Sequence, residues 1–221
     1  LLVISAFNPN KFDIMVYRLA KQADAPCLAD IHHRIKDVNN NGIFVLMGRC
    51  FLRQYYRLVL SDPCTVCVCA EDEGRVVGYM FAVLDCHRHR CYMMKNRARL
   101  AIAAIGSILS NPLLLKALFT RYRSWKRNDG SFIGQQGARG GYWGWDPRYK
   151  DSISSCEMHN NTLRILRLLG IEELEFEVDM ANKHVYKFHK LNGAVMKKVI
   201  TLSDGRERAF MVYDLNKPTK I

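Results

Sequence analysis

The stretch DPRYKDSISSCEMHNN, Asp146–Asn161, sets two cations and three serines at the start of an apolar helical pattern. Arg148 and Lys150 come first, then Ser152, Ser154 and Ser155. The first amides of a helix have no partner inside it, and the helix dipole favours negative charge there. Serine hydroxyls can donate to phosphate oxygens or cap the helix. These residues therefore read as an anion site at a helix mouth. Two residues oppose that reading. Asp151 adds a carboxylate beside the anion. Ile153 is β-branched and resists the positive φ that glycine offers where a chain wraps tightly around phosphate.

A second cluster, CHRHRC (Cys86–Cys91), combines metal-ligating residue types. Two Cys and two His within six residues crowd a tetrahedral site, whose ligand pairs usually come from two segments, and no second pair at zinc-finger spacing follows. No metal is expected. The eight cysteines fit free thiols in a reducing compartment. Cys64, Cys67 and Cys69 lie in or beside an apolar strand pattern, whose period of two turns Cys67 and Cys69 to one face as small core residues.

The net charge of +12 is spread unevenly. Ten Lys or Arg and no acid stand between Cys86 and Asn128. The segment reads as a solvated helical insert, or as a surface for an acidic partner. Cofactor phosphates, a nucleotide-linked substrate, an acidic carrier protein, a membrane surface or nucleic acid would each suit it. Nucleic acid is the weakest of these, because aromatics are few there (Tyr92, Phe119, Tyr122, Trp125) and no RNA-binding signature accompanies them. The most apolar window, Leu100–Phe119, contains Asn111, Pro112 and Lys116, so no transmembrane segment is expected. No signal-peptide layout is present, and a cytoplasmic location is expected.

The elements that must hold these residues follow from periodicity. Ile14–Ala20 reads as a strand. QADAPCLADIHHRIK reads as a helix with Asp24 as N-cap and Ala25, Leu28, Ile31 and Ile35 on one face. NNNGIF breaks it, and MGRCFLRQYYRLVLSD forms a second amphipathic helix ended by Asp62-Pro63. TVCVCAEDEGRVVGYMFAVLD is a hairpin about EDEG. The basic helical insert spans about 86–130. A Gly-rich stretch then leads to a strand at Gly141–Trp145. The opening stretch runs into a helix with Met158, Ile165, Leu166 and Leu169 on its apolar stripe and Gly170 as C′ stop. ELEFEVD is a strand, ANKHVYKFHKLNG a short helix closed by Gly193, and AVMKKVITLSDGRERAFMVYDL a hairpin about Ser203-Asp204-Gly205. The order predicts one α/β domain over 1–221, with residues 1–13 as an extension, in which a mixed sheet is flanked by helices.

Three of these stretches resemble the GNAT acyltransferase superfamily. AEDEGRVVGYMFAVLD looks like its central hairpin. DPRYKDSISSCEMHNNTLRILRLLGIEELEFEVD looks like its acyl-CoA core, V-x-P-x-Y-R-G-x-G-I-G followed by a helix, Leu-Gly and a strand. VDMANKHVYKFHKLNGA resembles its N-x-x-A-x-x-F-Y-x-x-x-G-F element. The resemblance covers about 14–215 and implies a mostly antiparallel mixed sheet. It also implies an N-acyltransferase, with acetyl-CoA or another acyl-CoA as donor and a primary amine of a small acceptor, anionic or an amino sugar, as substrate. Two alternatives stand beside it. One is a non-catalytic binding protein on this scaffold. The other is a transferase served by an acyl-carrier protein.

The resemblance also assigns roles. Lys150, Asp151, Ser152, Ile153, Ser154 and Ser155 would surround the diphosphate of coenzyme A. Asp151, Ile153 and Ser155 stand where the family has glycines. The main chain of Gly144 and Trp145 would polarise the thioester carbonyl and pair with the pantetheine arm. Asn182 would bond that arm or cap its own helix. His189 stands at the family's tyrosine position, as a proton donor to the leaving thiolate or as a half-buried structural histidine. Tyr186, three residues earlier, is the reserve acid. No acid lies between Gly130 and Trp145, so the base that frees the amine has no owner. A water chain, Asp85, His87 or His89 are the candidates, and Arg139 replaces the family's glutamate. Of Tyr142, Trp143 and Trp145, alternation allows one or two to face a ligand.

Overall fold

The computed structural model describes residues 4–6 (backbone), 15–35, 46–112, 114, 115, 118, 119, 137–202 and 205–217. The NNNGIF break, most of the Gly-rich stretch, the later half of the insert and the Ser203-Asp204 turn lie outside them.

Eight strands form one sheet in the order β1-β2-β3-β4-β5-β6-β8-β7. They are β1 (Ile4–Ala6), β2 (Met15–Leu19), β3 (Thr65–Asp72), β4 (Arg75–Val83), β5 (Arg139–Trp145), β6 (Glu173–Asp179), β7 (Val195–Thr201) and β8 (Glu207–Asp214). Every neighbouring pair is antiparallel except β5 and β6. The supposed extension thus supplies an edge strand, β1, paired with β2.

Six helices are described: α1 (Ala25–Ile35), α2 (Gly48–Ser61), α3 (Cys86–Lys95), α4 (Arg97–Ser110), α5 (Ser152–Leu168) and α6 (Lys183–Leu191). Helices α1, α2 and α4 cover one face, burying Leu28, Ile31, Leu52 and Tyr56 against Cys67, Cys69, Tyr79 and Phe81. Helix α5 covers the other face, with Met158 against Val68, Ala70 and Met80, and Leu163 and Leu166 against Leu174, Phe176 and Met211. Alternation along the strands divides the residues between these two cores. β4 is apolar almost throughout because both its faces are covered.

Aromatic rings lie over the glycines of β4 and β5. A Cβ on Gly78 would fall 2.1 Å from the Trp145 ring, one on Gly141 2.1 Å from Phe81, and one on Gly144 2.6 Å from Tyr79. These strands pair closely because three positions lack side chains.

Two details depart from the sequence reading. Asp24 does not cap α1. It ends a 3-10 turn (Gln22–Asp24), accepts from the Lys21 amide at 2.7 Å and pairs with Arg18, so the chain is already turning before Ala25. Leu169 lies beyond the last helical turn and is exposed, and Leu163 takes its place on the buried stripe. Gly170 stops α5 at φ 79°, and Gly193 closes α6 at φ 100°.

Candidate functional site

Strands β5 and β6 share one ladder pair. Arg139 is paired with Glu175, and beyond it the two parallel strands diverge. The edge of β5 that faces β6 therefore carries main-chain groups with no ladder partner past that point. Where β5 runs beside β4, Met80 pairs with Trp143 and Ala82 with Gly140, so β5 holds one extra residue at Gly141–Tyr142. Such a bulge re-aims the backbone next to it. Gly144 and Trp145 lie outside the bulge, in regular register with Tyr79 and Gly78.

The turn after β5 is pinned before α5 begins. Asp146 is buried and accepts from Arg34 at 3.0 Å, Arg75 at 3.2 Å and Arg148 at 3.0 Å. Burial pushes its carboxyl up, but the bonds from Arg148 reverse that and, with Arg34, hold it down at about 2. Three guanidinium groups on one carboxylate leave positive charge in excess at the turn. Trp145 donates from Nε1 to the Tyr149 carbonyl at 2.8 Å, and Tyr149 donates to Asp72 at 2.6 Å. Arg34 and Arg75 come from α1 and β4, and no local spacing marks them as members of this turn.

At the helix mouth Asp151 is the N-cap. Its carboxylate accepts from the Ser154 amide at 3.0 Å and the Ser154 hydroxyl at 2.7 Å. The Ser155 amide makes the first helical bond, to the Asp151 carbonyl. Among the described residues, the Ser152 and Ile153 amides of the first helical turn have no hydrogen-bond partner. Lys150 and Ser152 are exposed. Ile153 is 72% exposed and points away from the fold. Asp151 is extended at φ −132°, and none of Asp151, Ile153 and Ser155 has positive φ, so the missing glycines cost no strain. Ser154 and Ser155 are buried, and Tyr17 reaches the Ser154 carbonyl. The open part of the mouth is thus Lys150, Ser152 and Ile153, with Asp151 beside it.

Between α5 and α6 the gap is filled by rings. The Trp143 indole lies 4.8 Å from the ring centroid of His159, 5.1 Å from Phe188 and 5.7 Å from His189. His189 is buried, with Phe176 at 4.5 Å and its Nδ1 at 2.9 Å from the Tyr213 hydroxyl. Burial, then the neighbouring His159, depresses it to about 2, so the ring is neutral at any ordinary pH. Trp143 Nε1 and His159 Nε2 are buried without a hydrogen-bond partner among the described residues. Helix α6 turns Tyr186 the other way, its hydroxyl reaching Met196 of β7. Asn182 caps α6 through Val185 N at 3.3 Å.

The opposite face of the divergence carries groups that spacing did not reveal. His32 Nδ1 lies 2.6 Å from the Tyr56 hydroxyl, which lies 2.5 Å from the Tyr79 hydroxyl, and the Tyr142 ring packs tilted against His32 at 4.4 Å. On β6, Leu174, Phe176 and Val178 face α5, so Glu175 and Glu177 face this side. Arg139 is ion-paired to Glu177, as is Arg208. Glu175 has one buried carboxylate oxygen without a partner among the described residues, and burial raises its pKa. The other candidates for a base lie apart. Asp85 caps α3, His89 is held by Asp62 at 2.6 Å, and His87 is exposed.

No protein-family model matches the chain, and no curated protein matches it in sequence. Solved structures do. One is yncA, a putative acetyltransferase from Salmonella typhimurium with its cofactor acetyl-CoA, at 13% identity and TM-score 0.56 over 92% of this chain and 95% of that one. A spermidine N-acetyltransferase chimera from Vibrio cholerae and hSSAT aligns at 10% identity and TM-score 0.56, over 91% and 96%. An aminoglycoside 6'-acetyltransferase type Ii aligns at 11% identity and TM-score 0.52, over 90% and 96%. With its strands diverging beside a helix mouth, the chain has the fold of the GNAT acyltransferase superfamily.

Proposed function

We propose that the protein is an acyl-CoA-dependent N-acyltransferase, with acetyl-CoA the first donor to try and a primary amine of a small molecule as acceptor. The observation that carries this reading is the single ladder pair between β5 and β6, opening beside the α5 N-terminus. A strand edge with unpaired main-chain groups suits an extended amide-bearing arm, which can add to it as another strand would. The turn fits a diphosphate: the arginines around Asp146, Lys150 and the Ser152 and Ile153 amides favour it, and Asp151 opposes it.

The bound thioester supplies the acyl group. The chain must then do three things. Main-chain amides at the Gly141–Tyr142 bulge, rather than those of Gly144 and Trp145, are placed to meet a carbonyl oxygen that gains charge. Glu175 is the carboxylate placed to take the ammonium proton, since its burial favours the protonated form it would acquire. In the tautomer in which Tyr213 donates to Nδ1, His189 carries its proton on Nε2 and can offer a neutral hydrogen bond to the departing sulfur. Tyr186, turned to β7, has no part in this scheme, and Asn182 serves as a cap.

On the acceptor side Glu175 and Glu177 are balanced by Arg139 and Arg208, so Arg139 gives no excess charge that would call for an anionic acceptor. Glu175 is the group that a cationic amine would meet. A carrier protein as donor has no support in the geometry.

A second reading rests on Trp143 and Asp151. An indole in the α5–α6 gap and a carboxylate at the helix mouth are what a scaffold that no longer takes a donor would carry. Thermal melting with acetyl-CoA and longer acyl-CoAs decides between the two. A ligand of the folded state raises the midpoint, and thiol release with a panel of amines should follow. No shift with any acyl-CoA would sink the transferase reading.

A further inference from the structure

The insert carries both exposed apolar and exposed basic residues. Helix α4 packs inward through Ala104, with Leu100 and Ile108 half-buried against the same core. Its outer side carries Ile102, Ile105 and Leu109, which are 69%, 52% and 77% exposed. At i, i+3 and i+7 they fall within an arc of about 60°. Met94, at the end of α3, is exposed too. Three large aliphatics in line on the outside of one helix mark a surface that something covers.

The insert's own charges have one sign, and Asp85 at its edge pairs with Arg88. Arg88, Arg90, Lys95, Arg97 and Arg99 are exposed, and no carboxylate occurs in the sequence from Cys86 to Asn128. Beside the stripe opens a groove of about 700 Å³ between residues 22–26, α2 and α4, lined in part by Ile102, Arg57 and Arg99. Among the described residues no carboxylate pairs with Arg57 or Arg99.

We propose that this face docks the protein on an anionic phospholipid bilayer. The aliphatics enter the headgroup–acyl boundary, the cations meet lipid phosphates, and the groove with Arg57 and Arg99 receives one phosphodiester at the surface. Charge decides against a second copy of this chain, because a two-fold contact through this face would set cation against cation. Shape favours lipid over a peptide helix, since the stripe lies on the outside of a helix and not in a cleft. The inference does not depend on the transferase reading, and its test reads binding alone.

The test is co-sedimentation of the full chain with vesicles of phosphatidylcholine, with or without one third phosphatidylserine. Binding should be roughly tenfold stronger on the anionic vesicles and should weaken as salt is raised. The combined variant Ile102→Ser, Ile105→Ser, Leu109→Ser should keep the melting temperature and lose vesicle binding. Arg57→Gln with Arg99→Gln should weaken binding by roughly tenfold. Equal binding to both vesicle types, or unchanged binding by both variants, overturns the proposal. So does a dimer in sedimentation velocity that the serine variant dissolves while the wild type ignores vesicles.

Discussion

The carboxylate of Asp151 accepts both the amide and the hydroxyl of Ser154, so the α5 cap and the obstacle to an anion at that helix mouth are one side chain. The two functions can be separated. Asparagine caps a helix about as well as aspartate but carries no charge. Asp151→Asn should therefore leave the melting temperature nearly unchanged and tighten coenzyme A binding by roughly five- to tenfold, the worth of removing one nearby like charge. Calorimetric titration measures it, and an unchanged affinity would mean that the diphosphate does not sit at this mouth.

Trp143 occupies the gap between α5 and α6, packed at tilted or edge-on angles against His159, Phe188 and His189. If an acyl-CoA arm lies along β5, the indole must give way. Trp143→Ala should cost roughly 2–3 kcal/mol, less than a fully buried tryptophan. The rise in melting temperature on adding acetyl-CoA should be larger than for the wild type. A variant that loses both stability and its response to acetyl-CoA would show the indole to be part of the donor site.

Glu175 tests the proton balance. Glu175→Gln should lower kcat by about a hundredfold, in the range for a positioned base, and remove the acidic limb of the pH–rate profile. Stability should hold or rise, because a partly unpaired buried carboxylate is replaced by a neutral amide. If the variant turns over normally, another group or water takes the proton.

Acid should destabilise the fold through its buried histidines. Burial holds His32 and His159 at about 4 and His189 near 2, so all three are neutral when folded. The unfolded chain protonates them near pH 6.5. As pH falls below 6.5, stability drops by about 1.4 kcal/mol per unit for each ring, until pH reaches the folded values of the first two near 4. Above pH 7 the three contribute no slope. Asp146, held at about 2, adds its own loss only below about pH 4. Melting temperatures between pH 7.5 and 4.5 check this, and His159→Leu should flatten the slope by about one third. A flat wild-type profile would contradict the burial of these rings.

Glycine substitutions should split by what lies over each position. Gly78→Ala drives a Cβ into the Trp145 ring and should cost about 2–3 kcal/mol by overpacking. Gly106→Ala, in the interior of α4 with nothing within 4 Å, should stabilise by about 0.5–1 kcal/mol. Urea denaturation of the two variants measures both, and equal effects would mean that the ring does not rest on Gly78.

The sequence by itself determined the main elements from β2 onward and their order. Period two placed β3, β4, β6 and β8, and period 3.6 with Gly170 and Gly193 bounded α5 and α6, because these signals are local and repeat within a few residues. It also marked the helix mouth after β5 and the missing glycines there. What it could not give was convergence across the chain. Arg34 and Arg75 reach Asp146 from more than 70 positions away, Tyr142 meets His32, and Glu175 lies where β5 and β6 part. His189 stood at the right spacing, yet its burial and its bond to Tyr213 depend on β6 and β8 folding against α6. Charge pairing, desolvation and the parting of two strands are properties of neighbours in space, and only the tertiary structure decides who those neighbours are.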